Sequence, residues 1–251
     1  MKRSGIFGIA IPTQSNQQIL EKILKNVHQA TDFYHIVSLN PENMILCRQD
    51  DNFKRVVERS QTRIIDGVGI LWASRLLGIK VGEKLSGVDL MKELLKVGND
   101  ERSKVMLIGG KENIADRVVE CQSKQFPHID FKAAKAIQNI KFPKEEEEDQ
   151  LFSIVAAFKP RLIFVAFGSP MQELWIDKNR HKFGKCVILG VGGGFDFLSG
   201  SVIRAPKLIQ DLGGEWLFRL LLQPWRWRRQ LRLIKFIWLV FKEKLDIRDK
   251  N

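Results

Sequence analysis

The sequence predicts an α/β fold: a Rossmann-like open, mostly parallel sheet flanked by helices, followed by a C-terminal basic amphipathic helical appendage. Three observations carry that expectation. Short β-branched runs alternate with segments of helical period, the pattern of parallel strands joined by crossover helices. Apolar residues make up 44% and charged residues 28% of the 251 positions, which suits a sizeable core and excludes a disordered chain or a polytopic membrane protein. After Val191 the alternation stops, and a glycine loop gives way to helical segments rich in tryptophan and arginine.

Taken in order, Met1-Lys2-Arg3 ahead of Ile6 to Ile11 has the outline of a secretory signal. The apolar run contains Gly8 and stops at Pro12, too short for that role, so an early β-strand is expected instead. Further strands are expected at His35–Leu39, Arg63–Ile65, Val105–Ile108, Ile129–Ala133, Leu162–Phe167 and Cys186–Val191. Helices are expected near Glu42–Arg48, Phe53–Arg59, Gly69–Leu77, Val88–Val97, Ile114–Gln125, Glu145–Phe158 and Gln172–Lys182. The acidic run ending at Asp149 fits the start of one of these, because carboxylates favour the positive end of a helix dipole. Beyond Arg204-Ala205-Pro206 a helix is expected from about Lys207 to Leu222, and Pro224 breaks it before a second helix running to about Leu245. The natural division is an α/β domain over residues 1–203 and an appendage over 204–251.

Charge sharpens that division. There are 41 Lys and Arg against 29 Asp and Glu, a formal +12, which points to an anionic partner. Residues 201–251 hold 12 of the former and 5 of the latter, a net +7, together with four of the six tryptophans. In the last helix Trp227, Leu231, Ile234, Trp238, Phe241 and Leu245 recur at alternating spacings of four and three, which places them on one face beside a stripe of Arg228, Arg232, Lys235 and Lys242. A packing helix is one reading. A helix lying in a membrane interface is the other, and the crowding of tryptophan and arginine favours it. No run approaches the roughly 20 apolar residues that span a bilayer. Cys47, Cys121 and Cys186 form no close pair, so neither a disulfide framework nor a zinc site is indicated, and a reducing cytoplasm is the expected compartment.

In open parallel sheets, ligands bind beyond the carboxyl ends of the strands. Distinctive residues stand at those ends. Asp66-Gly67 follows an apolar strand, where an aspartate can project as a catalytic base or simply cap the next helix. Ser38 and Asn40 precede Pro41, as polar site groups or as a capped turn. Gly109-Gly110, Gly168-Ser169-Pro170 and Gly192-Gly193-Gly194-Phe195-Asp196 are glycine loops, the last fit to bring backbone amides close to a diphosphate; Ser169 can cap, and Pro170 fits the first helical position. The dinucleotide fingerprint fails, because Phe195 stands where its third glycine belongs, and neither Gly-Lys pair completes a P-loop. His28, His35, His128 and His181 show no ligand spacing and there is no D-x-D pair, so no metal site is read.

Together, Asp66-Gly67-Val68-Gly69, Ser86-Gly87-Val88-Asp89-Leu90, Gly168 through Glu173, Gly190 through Asp196, Arg204-Ala205-Pro206 and Glu215-Trp216-Leu217-Phe218-Arg219 with Pro224 resemble the WecG/TagA/CpsF glycosyltransferases, from about residue 5 to 240. The resemblance implies an inverting transfer of N-acetylmannosamine or its uronic acid from a UDP-sugar to a polyprenyl-diphosphate-linked N-acetylglucosamine, at the inner face of the cell membrane. It implies no cofactor, the UDP-sugar being a substrate. By the same resemblance Asp66 falls on the candidate base and Ser38 on a catalytic hydroxyl, with serine where threonine is usual. Asn40 and Gln172 fall on polar active-site positions and Lys84 replaces the usual arginine, keeping its charge without bidentate geometry, while the strand-end loops add Gly109, Gly168, Gly192, Gly193 and Asp196 as candidate substrate-binding residues. Arg219, Arg226 and Arg229 fall on arginines that meet the lipid diphosphate and membrane, and Gly214 replaces a usual leucine, which would loosen the start of the appendage.

Among enzymes the nearest alternative is a transferase using another UDP-hexose donor, and two rivals come from other classes. The basic charge would suit nucleic acid, but nucleic acid does not require the apolar stripe that accompanies it. A non-catalytic membrane scaffold would keep the fold and have no need of Asp66. An exposed apolar face would also be hidden by homo-oligomerisation.

Overall fold

A computed structural model describes residues 5–29, 32–110, 113–134 and 137–248, with the side chains at 226, 228, 229, 247 and 248 outside the description. Its centre is a six-stranded, wholly parallel sheet of β3 (Tyr34–Leu39), β4 (Thr62–Ile65), β5 (Lys104–Gly109), β6 (Asp130–Ala134), β7 (Leu162–Ala166) and β8 (Val187–Gly190), in the order β4-β3-β8-β7-β5-β6. These are the six strands expected from the sequence, each within one residue at either end. Alternate residues pack on opposite sides. Ile36, Leu107, Phe164 and Leu189 face α1 (Asn16–His28), α5 (Gly87–Asp100) and α6 (Ile114–Gln125). Val37, Leu39 and Ile65 face α2 (Pro41–Gln49), α3 (Asp51–Arg59) and α4 (Val68–Leu77), while Met106, Val165 and Ile188 face α7 (Glu145–Phe158) and α8 (Met171–Lys178). Burial on both faces explains the near-continuous apolar runs of β5, β7 and β8, whereas the edge strand β6 exposes Asp130 and Lys132.

Four departures from the sequence reading have local causes. The early strand is a hairpin, β1 (Gly5–Ile6) and β2 (Ile9–Ala10), because Phe7 and Gly8 both take positive φ and turn the chain back. Helix α1 was not expected, although Ser15 and Gln18 form a capping box and Ile19, Ile23 and Val27 recur every fourth residue on its buried face. The glycine loop after β8 contains a short helix, α9 (Gly194–Leu198). The single helix expected over 207–222 is two, α10 (Lys207–Asp211) and α11 (Glu215–Leu222). The break falls at Gly213, with φ of +80°, where an added Cβ would lie 2.3 Å from Val68. Gly214, by contrast, has an ordinary φ of −83° and serves as the N-cap of α11.

The acidic run does open a helix, and one of its members goes further: Glu148 is buried and accepts from Trp175 Nε1 at 2.7 Å. The last helix, α12 (Trp227–Arg248), carries two faces at once. Phe236, Leu239 and Val240 are buried among residues of the hairpin, α2 and α4, with Phe236 set edge-on to Phe7 at 5.7 Å. The apolar stripe read from the sequence is a different face and stays in solvent, with Ile234 63% and Trp238 60% exposed. Arg232 turns inward to pair with Glu42, whereas Lys242 lies over the Trp238 ring at 5.8 Å. Among the described residues no helix is long and apolar enough to cross a membrane.

Candidate active site

The chain leaves β3 outward to β4, then crosses to the far side of the sheet for β5, so the crevice beyond the carboxyl ends of β3, β4 and β8 lies where the strand order reverses. Asp66 enters it directly from β4. The cap of α4 is Gly67, with φ of +96° and no side-chain capping bond, so Asp66 is not a helix cap. Its carboxylate accepts instead from the Gly87 amide at the start of α5. Burial pushes the Asp66 carboxyl up to about 6, helped by the charges of Glu215 and Asp89 and opposed by the Gly87 bond and Arg204. Such a group is ionised at neutral pH yet more basic than an ordinary carboxylate, the compromise a general base needs.

Ser38 sits in β3 with its Oγ buried and without a hydrogen-bond partner. It and Asp66 flank Gly87: a Cβ added there would stand 3.3 Å from Ser38 Oγ and 4.0 Å from Asp66 Oδ2. Asn40 is a helix cap, accepting from Asn43 N at 2.8 Å, and it also lines the crevice. Lys84 reaches across to the appendage and donates to the Gln210 carbonyl at 3.3 Å. Arg204 ties two elements together, pairing with Asp89 of α5 and, at 3.1 Å, with Glu215 of α11. That double engagement holds its charge far above any physiological titration.

The glycine loops behave differently from the amide cradle expected of them. Gln172 Oε1 accepts from Gly168 N and from Gly192 N, each at 3.0 Å, and the Gly194 amide goes to the Val191 carbonyl at 2.8 Å. Those amides therefore bind protein. The absent side chains serve close packing instead: a Cβ on Gly190 would lie 2.5 Å from Gln172 Nε2, and one on Gly193 would lie 2.3 Å from Arg219 Nη2. Arg219 lies on this loop, donating to Gly193 O at 3.2 Å and Asp196 Oδ2 at 2.9 Å. Gly109 does not line the crevice; its positive φ and the Phe167 ring, 2.6 Å from where a Cβ would stand, explain the glycine. Pro170 is the N-cap of α8 rather than its first residue, and Ser169 donates to Glu173 Oε1 at 2.8 Å instead of capping. Arg226 and Arg229 lie, as side chains, outside the described residues.

Three adjoining hollows result. An outer cleft of about 350 Å³ is lined by Asp66, Lys84, Arg204, Trp216 and Arg219. A polar cavity of about 200 Å³ lies inside it, lined by Ser38, Asn43, Asp66, Glu173 and Gly192. A third of about 300 Å³, with Ile137, Ile140, Phe167 and Asp196, opens on the other side of Gly168, Gly192 and Gly193. Asp66 and Arg219 belong to both the first and the second, so base and cation stand at their junction. Asn43, Glu173 and Arg204 are the site residues to which sequence reasoning gave no role. Glu173 and Arg204 lie in motifs that carry the family resemblance, and Asn43 lies in none. Among the described residues no group of three or more His, Cys, Asp or Glu side chains is placed to hold a metal ion.

A family model described as "Glycosyl transferase WecG/TagA/CpsF family" matches residues 5–250. The N-acetylglucosaminyldiphosphoundecaprenol N-acetyl-beta-D-mannosaminyltransferase of Bacillus subtilis (strain 168) is 34% identical over 209 residues, covering 83% of this chain and 79% of that protein. The protein of the same description from Bacillus spizizenii (strain ATCC 23059 / NRRL B-14472 / W23) is 32% identical over the same coverage. Its counterpart from Staphylococcus aureus (strain NCTC 8325 / PS 47) is 27% identical over 247 residues, covering 97% of this chain and 94% of that protein. With the family's motifs gathered around one crevice of a parallel α/β sheet, the chain belongs to the WecG/TagA/CpsF family of glycosyltransferases.

Proposed function

We propose that this enzyme transfers N-acetylmannosamine, or its uronic acid, from a UDP-sugar to a polyprenyl-diphosphate-linked N-acetylglucosamine, with inversion. The observation that carries the reading is Asp66, a raised carboxyl at the junction of two hollows, one able to take each reactant. The acceptor hydroxyl oxygen bonds to the anomeric carbon from the outer cleft, its proton passing to Asp66. The bond from that carbon to the β-phosphate oxygen breaks, and UDP leaves with the electron pair. Asp66 contributes on the order of 10²–10⁴-fold as base. Charge on the departing diphosphate is met by Arg219, seated at the edge of the glycine loop, with Lys84 across the cleft. Ser38 offers its unpartnered hydroxyl to the reacting centre.

The appendage supplies the second half of the proposal. Trp216, Leu217 and Leu221 of α11, Trp225, and the α12 stripe are all exposed. An apolar surface of this extent beside cationic groups suits an anionic lipid surface and supports a peripheral position at the inner face of the cell membrane. Nucleic acid would use the charge and leave the tryptophans unexplained. The test is a donor screen with purified protein and lipid-linked N-acetylglucosamine. Acceptor-dependent release of UDP from UDP-N-acetylmannosamine or its uronic acid is expected, and release from neither would overturn the substrate assignment.

A further inference from the structure

The polar cavity contains more buried hydrogen-bonding capacity than the base chemistry uses. Glu173 is 1% exposed, and its two oxygens have different surroundings. Oε1 accepts from Ser169 Oγ at 2.8 Å and from Gln172 Nε2 at 2.7 Å, while Oε2 is buried with no hydrogen-bond partner. Asn43, also 1% exposed, shows the same asymmetry: its Nδ2 donates to the Ser38 carbonyl at 2.8 Å and its Oδ1 has no partner. Both residues line the polar cavity, and both have their other atoms pinned by protein groups, so their orientation is set before any ligand arrives. A buried polar atom without a partner costs about 1–3 kcal/mol, which a folded protein tolerates where a ligand completes the bond.

From this we infer that Glu173 and Asn43 form the subsite for the donor sugar, with Glu173 Oε2 and Asn43 Oδ1 accepting hydrogen bonds from its ring hydroxyl or acetamido N–H groups. The chemistry matches: a pyranose is a small ring edged with donors, and the wall offers fixed acceptors in a space of about 200 Å³. The order of the hollows selects donor sugar over acceptor sugar. Arg219, where the diphosphate is expected, stands at the junction of the two hollows, and of these the outer cleft is the one lined by Trp216, leading toward the exposed apolar face that a lipid-linked acceptor would approach. A donor sugar lying inward and an acceptor lying outward both meet at Asp66. Gln172 acts one step back, as a positioning residue that fixes both Glu173 and the glycine loops.

This inference rests on the proposed transfer from a UDP-sugar, and its test separates the two. Binding of UDP and of UDP-N-acetylmannosamine to wild type and to Glu173→Gln is measured by calorimetry, with acceptor-dependent UDP release followed in parallel on wild type. Gln keeps an acceptor for Ser169 and Gln172 and converts the second oxygen to a donor. Affinity for the UDP-sugar is expected to fall about tenfold or more, with affinity for UDP within about twofold of wild type. Equal losses for both ligands would make Glu173 a support of the glycine loops only and overturn the assignment, as would no loss for either. A second reading needs no variant: among donors lacking single hydroxyls, at least one is expected to bind wild type about tenfold more weakly than the parent sugar. A series that binds uniformly overturns the subsite even if transfer itself is confirmed. Absence of UDP release from any sugar nucleotide would remove the parent reading, and this one with it.

Discussion

Asp66 combines two demands that conflict. A base must be desolvated enough to want a proton, and the desolvation that raises its carboxyl to about 6 is a cost to the fold. Because the folded-state value lies above the unfolded one, the folded protein binds the proton more tightly, and stability falls as pH rises from about 4 to about 6. Above that the penalty is fully present. Asp66→Asn removes it, so the variant is expected to be more stable than wild type at pH 7.5 by roughly 1–2 kcal/mol, about 2–8 °C in Tm, the two converging below pH 4. Thermal melts at both pH values check the sign. Asp66 was legible as a base through the family resemblance, since on its own an acidic residue leaving an apolar strand into Gly67 reads more readily as a helix cap. Glu173 and Asn43 were not, since what distinguishes each is one unpartnered atom, a property of the folded surroundings alone.

At the scale of elements, the crevice is closed by contacts between α5 and the appendage rather than by any one of them. Arg204 bridges Asp89 and Glu215, and Glu215 in turn raises Asp66 by its charge. Neutralising Glu215 lifts that repulsion and frees Arg204, whose charge acts the opposite way on Asp66. Both effects have one sign, so Glu215→Gln is expected to move the acid limb of the pH–rate profile below that of wild type. A limb that moves upward would show that the coupling runs through another group. The inner strands β5, β7 and β8 were readable because near-continuous apolar runs of four or five residues suit a doubly covered sheet. Helix α1 was missed although its capping box and buried face were both present in the residues. The division into α10 and α11 was invisible for a better reason: Gly213 is required by Val68, a contact 145 positions away in sequence.

For the molecule as a whole, α12 joins core to surface. Phe236, Leu239 and Val240 make it part of the hydrophobic core, so removing the appendage would unfold more than it detaches. Point changes on the exposed face are the cleaner probe. Ile234→Glu with Trp238→Glu is expected to abolish flotation with vesicles containing anionic lipid while leaving Tm within a few degrees, because neither side chain is buried. Unchanged flotation would assign the face to self-association instead. The basic and apolar stripes were legible from spacing, but the separate buried face of Phe236, Leu239 and Val240 was not. The inward turn of Arg232 toward Glu42 shows that charge periodicity alone does not identify a lipid-facing side. The account as a whole depends on Asp66 drawing the proton from the acceptor during transfer. The direct measurement is acceptor-dependent UDP release against pH, for wild type and Asp66→Asn. Wild type is expected to lose activity as pH falls through about 6, and the variant to be slower by on the order of 10²–10⁴-fold with no limb near that pH. An Asp66→Asn enzyme that keeps both the rate and the limb would contradict it.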